Sequence, residues 1–152
     1  KITLTDKLKI ELITHNSSHI PYPLSAALHT YFTVSDISTT NISGITGAFT
    51  NNLDNSQHKT TPKPYVFVEE TDRIHQSKTP CTIIETDNGM LHTVEHQGHD
   101  SLVVWNPWQD KACGLVDMKD TEYQNFVCVE TALTQGYIIQ PGQTQNLVQV
   151  IR

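Results

Sequence analysis

The sequence predicts an all-β fold, a sandwich or barrel of antiparallel strands. Apolar and polar residues alternate in short stretches, and Asn, Asp, Gly, Pro or Ser interrupts them roughly every eight to twelve residues. The apolar three-and-four spacing of a helix face is nearly absent.

Alternation begins at residues 2–5 and resumes at 8–14, so the chain opens on strands. It shows no leader pattern and no initiating Met, from which we expect a preceding segment and uncovered strand faces open to self-association. Further strands are expected at 24–34, 37–46, 63–69, 81–86, 90–97, 101–105, 125–131, 134–139 and 145–151. Between them TNNLDNSQHKTT, residues 50–61, is polar but for Leu53 and reads as a long mobile connection. In residues 106–123 Pro107 and Gly114 preclude a continuous strand, and one helical turn is expected near 109–112.

The chain's 152 residues suit one domain, 1–152. Its net charge of −6, with 10 Lys and Arg against 16 Asp and Glu, argues against nucleic-acid binding through a basic face. A small anionic substrate stays compatible, since one or two placed cations serve a phosphate. Cys81, Cys113 and Cys128 are odd in number, widely spaced and without a CxxC pair, which points to a reducing, cytoplasmic setting. No apolar run approaches the roughly 18 residues of a membrane span.

Four constellations could carry chemistry. In LSAALHTYFTV, residues 24–34, alternation puts His29, Tyr31 and Thr33 on one face; His29 is either a core residue satisfied by a hydrogen bond or a catalyst. In NFVCVET, residues 125–131, Phe126, Cys128 and Glu130 share a face. Either that strand reaches solvent at Glu130, or a buried carboxyl there has a raised pKa suited to proton transfer. In VEETDRIH, residues 68–75, Glu69, Glu70, Asp72 and Arg73 crowd between strands, as a solvated turn or as a site where Asp72 accepts bonds from sugar hydroxyls. His92, His96 and His99 mimic metal spacing, but four residues of extended strand span about 13 Å, too far for one tetrahedral ion. We therefore expect no metal, and no P-loop, GxGxxG or HExxH motif points to a cofactor.

Taken together, ALHTYF (27–32), ETDRIH (70–75), VVWNPWQDKA (103–112), DM (117–118) and FVCVE (126–130) resemble the C-terminal half of the hexose-6-phosphate mutarotases, or glucose-6-phosphate 1-epimerases, in the aldose 1-epimerase (galactose mutarotase-like) superfamily. The resemblance implies a β-super-sandwich, catalytic roles for His29 and Glu130, a sugar contact at Asp72, and an N-terminal half holding the arginines that grip the 6-phosphate. The implied activity is anomer interconversion of an aldohexose 6-phosphate or related aldose by acid–base chemistry without metal or redox cofactor. The alternative is a non-catalytic carbohydrate-binding or structural module of the same fold. His75, His92 and the 50–61 segment depart from the family's pattern and leave the preferred hexose open.

Overall fold

In the computed structural model, which describes residues 1–152, thirteen strands lie in two facing antiparallel sheets. In chain order these are β1 (Ile2–Leu4), β2 (Leu8–His15), β3 (Tyr22–Leu28), β4 (Tyr31–Thr33), β5 (Asn41–Ser43), β6 (Ala48–Asn51) and β7 (Ser56–Thr60). There follow β8 (Thr71–His75), β9 (Cys81–Glu85), β10 (Leu91–Gln97), β11 (Ser101–Asn106), the short helix α1 (Trp108–Ala112), β12 (Phe126–Ile139) and β13 (Thr144–Ile151). One sheet has the order β1-β2-β13-β10-β9-β5; the other runs β3-β12-β11-β8-β6-β7, with β4 also paired to β12. The all-β expectation holds.

The core lies between the sheets. Ile42, Ile84 and Val94 of the first sheet pack with Phe32, Leu102, Val104, Val127 and Val129 of the second, all nearly inaccessible to water. β11 and β12 thus send one apolar row inward, which leaves Trp105, Cys128 and Glu130 on the opposite, outer face of their sheet, as the alternation predicts.

Six expectations need correction. Residues 24–34, expected as one strand, are two, β3 and β4, parted at 29–30 where the Thr30 N–H turns back to the Leu28 carbonyl. Residues 50–61 are no simple connection but the turn and second strand of the β6–β7 hairpin. The Asp54 carboxylate accepts from the backbone N–H and hydroxyl of Ser56 and lies 3.0 Å from Lys59 Nζ, so polar side chains build the turn. An edge strand facing water needs no apolar side chains. Residues 63–69 form no strand: Pro62 and Pro64 cannot donate to a ladder, and Tyr65 makes one bridge to Ile42, although Tyr65 and Phe67 are buried in the core. Residues 71–75, read as lying between strands, are strand β8. Residues 37–46 divide into a 3-10 turn, Ile37–Thr39, and the short β5. The two strands expected at 125–131 and 134–139 are one, β12, with a bulge between Leu133 and Tyr137.

Candidate active site

The site lies on the outer face of the second sheet. β3 pairs with β12 through Leu28 opposite Thr131, and β4 through Tyr31 opposite Cys128. The register is the same on both sides of the break at residues 29–30, so His29 comes opposite Glu130. At the break the Thr30 N–H turns back to the Leu28 carbonyl, 3.1 Å away, and frees the His29 side chain from the ladder's regular packing.

His29 Nε2 lies 3.3 Å from Glu130 Oε1; the imidazole is 48% exposed and the carboxyl 6%. Burial, and then the negative charge of Asp72, push the Glu130 carboxyl up to about 7. A proton on His29 acts in the opposite sense. The contact thus sets an imidazole against a carboxyl poised near neutrality, an arrangement able to exchange protons. The Cys128 thiol, two residues along and fully buried, is raised by burial and then by Glu130, which keeps it neutral beside the carboxyl.

Aromatic rings wall the pair. Tyr31 stacks on His29 with centroids 5.1 Å apart, Trp105 meets His29 edge-on at 5.7 Å, and Phe126 packs on Tyr31 at 5.0 Å. Beside them lies a cleft of about 390 Å³ bounded by Tyr31, Trp105, Leu115, Asp117 and Met118, and next to it one of about 380 Å³ that reaches Thr33, Glu122 and Asn125. Each could hold part of a sugar. A cavity of about 300 Å³ between β5 and residues 62–65 contains no carboxylate.

The WNPW string explains the far wall. Asn106, fully buried, donates from Nδ2 to the carbonyls of Tyr123 and Phe126, and its Oδ1 accepts from the Trp108 N–H. One side chain thus fastens both ends of the 107–125 segment, which carries Leu115, Asp117 and Met118 to the cleft. Trp108 is held at φ 55°, strained for a bulky residue, and its ring rests on Tyr123.

Asp72 faces the same side as its cross-strand partner Trp105. Asn52, from the β6–β7 hairpin, donates to Asp72 Oδ1 at 2.8 Å through Nδ2 and to the Asp72 carbonyl at 2.9 Å through its backbone. The structure thus brings His29, Glu130 and Asp72 to one face. It adds Tyr31, Trp105 and Asn52, which the sequence reading did not assign. Tyr31 and Trp105 were legible as the aromatic neighbours of the candidate strands; Asn52 was hidden in the polar stretch.

Four further histidines bond to protein partners. His92 and His99 donate through Nε2 to the carbonyls of Thr33 and Thr79. His96 lies between the hydroxyls of Thr82 and Thr131, at 3.0 and 2.7 Å. His75 lies between Thr61 and Tyr65, at 3.0 and 2.9 Å.

Two facing antiparallel sheets in this strand order form a galactose mutarotase-like β-sandwich. The chain belongs to the aldose 1-epimerase family, whose model matches residues 1–152. It is 34% identical over 138 residues to an Escherichia coli K12 protein described as a "putative glucose-6-phosphate 1-epimerase", covering 89% of this chain and 47% of that protein. A protein of the same description from Cenchrus ciliaris is 32% identical over 146 residues, with 93% and 43% covered. The crystal structure of YeaD from Salmonella typhimurium superposes with a TM-score of 0.89 at 28% identity, over 99% of this chain and 50% of that one. The chain spans about half the length of the curated relatives it matches. No helix is long and apolar enough to cross a membrane.

Proposed function

We propose that this chain is the C-terminal, acid–base half of a cytoplasmic enzyme that interconverts the α and β anomers of an aldohexose 6-phosphate. The contact between His29 Nε2 and Glu130 Oε1 at the cleft carries the reading. Mutarotation removes a proton from the anomeric hydroxyl and delivers one to the ring oxygen. Both oxygens are bonded to one carbon, so the base and the acid must be neighbours, as these two are.

Glu130 takes the O1 proton. The bond between the anomeric carbon and the ring oxygen breaks, its electron pair going to the ring oxygen, which takes the proton of His29; a carbonyl forms at C1. Rotation of the aldehyde end and closure by the reverse transfers give either anomer. Asp72, its carboxylate fixed by Asn52, accepts from a sugar hydroxyl. No step needs a metal or redox cofactor.

The names of the E. coli and Cenchrus relatives support glucose 6-phosphate as the substrate class. The charged side chains lining the cleft, Asp117 and Glu122, are acidic, which supports a phosphate grip in the half of the relatives outside the matched span. That half would also cover β1, whose Ile2 and Leu4 are 72% and 77% exposed; alone, the chain would bury this surface by self-association. Three free cysteines support the cytoplasmic assignment.

The test is saturation-transfer NMR of α/β exchange in glucose 6-phosphate, with this chain alone and with the chain fused to the remaining half of the E. coli relative. Exchange above the spontaneous rate with the fusion, lost in Glu130→Gln, is expected. A folded fusion that accelerates nothing would favour a sugar-binding module.

A further inference from the structure

The surfaces that the two sheets turn toward each other are mostly apolar, but behind the acid–base pair they are not. Gln149 of β13 is fully buried there and reaches across to the second sheet. Its Oε1 accepts from the Thr30 hydroxyl at 2.5 Å, and its Nε2 donates to the Val129 carbonyl at 3.0 Å. Thr30 follows His29 and Val129 precedes Glu130. Opposite Gln149 on the neighbouring strand is His96, whose Nδ1 lies 2.7 Å from the hydroxyl of Thr131, the residue after Glu130.

A buried amide is not needed to close a sandwich, since an apolar side chain of similar volume would fill the space without polar groups to satisfy. What an amide supplies is direction. It stands where direction is missing: residues 29–30 lie outside strand pairing, and the Thr30 N–H is turned to Leu28. We propose that Gln149 is the positioning residue of the catalytic pair, fixing the separation of His29 and Glu130 from the opposite sheet through Thr30 and the Val129 carbonyl. His96 secures the other flank of Glu130 at Thr131. The inference rests on the reading of His29 and Glu130 as acid and base.

Asp72, on β8, makes none of these contacts, so loosening Gln149 should slow proton transfer while leaving sugar binding alone. A misplacement of about 1 Å can cost on the order of a hundredfold in rate.

The experiment compares Gln149→Met, which keeps length but not hydrogen bonds, with Thr30→Val, which removes only the arm beside His29. Kinetics are followed in whichever form accelerates exchange, this chain or the fusion, next to His29→Ala and Glu130→Gln, with folding checked by circular dichroism. Gln149→Met should lower kcat by about tenfold to a hundredfold with KM little changed. Thr30→Val should lower it less, and the double variant no further than Gln149→Met. A folded Gln149→Met with kcat within about twofold of wild type overturns the proposal, as does a loss confined to KM. Should Gln149→Met fail to fold, Thr30→Val decides alone, and wild-type kcat there overturns it.

An NMR spectrum of the His29 ring in this chain needs no turnover. Gln149→Met should displace the chemical shifts of the ring that faces Glu130, and superimposable spectra overturn the proposal. If His29→Ala and Glu130→Gln are inactive while Gln149→Met is not, the positioning role alone has failed. If those two stay active, the assignment of acid and base has failed and the proposal falls with it.

Discussion

His29 and His75 both occur in or beside strands of the same sheet, and both rings lie within hydrogen-bond reach of oxygen. His75 is fully buried; the Thr61 hydroxyl donates to the Gly47 carbonyl and so can only accept from His75 Nδ1–H, while Tyr65 OH donates to Nε2. That arrangement satisfies a neutral ring, and burial, then the Arg73 charge, hold its pKa down at about 3. His29 is half exposed beside the rings of Tyr31 and Trp105 and faces a carboxyl that can hold or release a proton. A strand histidine becomes a candidate catalyst through access and a titrating partner; buried between hydroxyls, it is structure.

The largest effect should separate the two on turnover. Loss of a positioned acid or base costs roughly 10²–10⁴-fold. Glu130→Gln or His29→Ala in the active form should lower kcat by at least about two orders of magnitude, read as the α/β exchange rate. His75→Phe should leave the kcat of the folded protein unchanged. Near-wild-type exchange by either first variant would break the comparison.

On stability the roles reverse. The buried rings His75 and His96, held down at about 3 and about 4, titrate near 6.5 in an unfolded chain. Their stabilisation is complete above about pH 6.5 and is lost as pH falls through their folded-state values. Urea midpoints should therefore drop steadily below pH 6. His75→Phe leaves the Tyr65 and Thr61 hydroxyls without the ring and should cost about 1–3 kcal/mol at pH 7, with a shallower acid slope. A midpoint that does not change from pH 7 to 4 would contradict this.

Glu130 supplies the opposite slope. Its folded-state value of about 7 exceeds the roughly 4.3 of a free glutamate, so its contribution is present in acid and disappears as pH rises through 7. Glu130→Gln should gain on wild type by about 2 kcal/mol between pH 5 and 8 in urea unfolding, less whatever a proton on His29 returns. A constant difference across that range would mean that the carboxyl ionises at its ordinary value.

Much of this was legible in the residues. Alternation in FVCVE placed Glu130 with Cys128 and away from Val127 and Val129, as β12 does. The same alternation grouped His29 with Tyr31, because the break at 29–30 leaves the register intact. What pattern could not reveal was pairing: that His29 lies opposite Glu130 is a long-range fact, carried by no local spacing. Polar strands were misread for a related reason. β7 is held by Asp54 and by backbone bonds to β6, neither of which leaves an apolar signature. In β8 the polarity is inverted, with Thr71 and His75 buried inside and Asp72 on the outer face, so a strand looks like a solvated turn.

The smallest effect concerns that hairpin and asks whether it merely borders the site or shapes it. Asn52 approaches Asp72 twice, through its side-chain amide and its backbone N–H. Removing the Asp72 carboxylate should raise KM about tenfold, one hydroxyl contact, with kcat nearly kept. Asn52→Ala spares the carboxylate and the backbone bond and removes only the amide that orients Oδ1, so its KM should rise about two- to threefold, in the same direction and with no loss of kcat. The double variant should match Asp72→Ala, because the amide then has nothing left to orient. Additive losses would instead mean that Asn52 contacts the sugar itself, making the β6–β7 hairpin part of the binding surface.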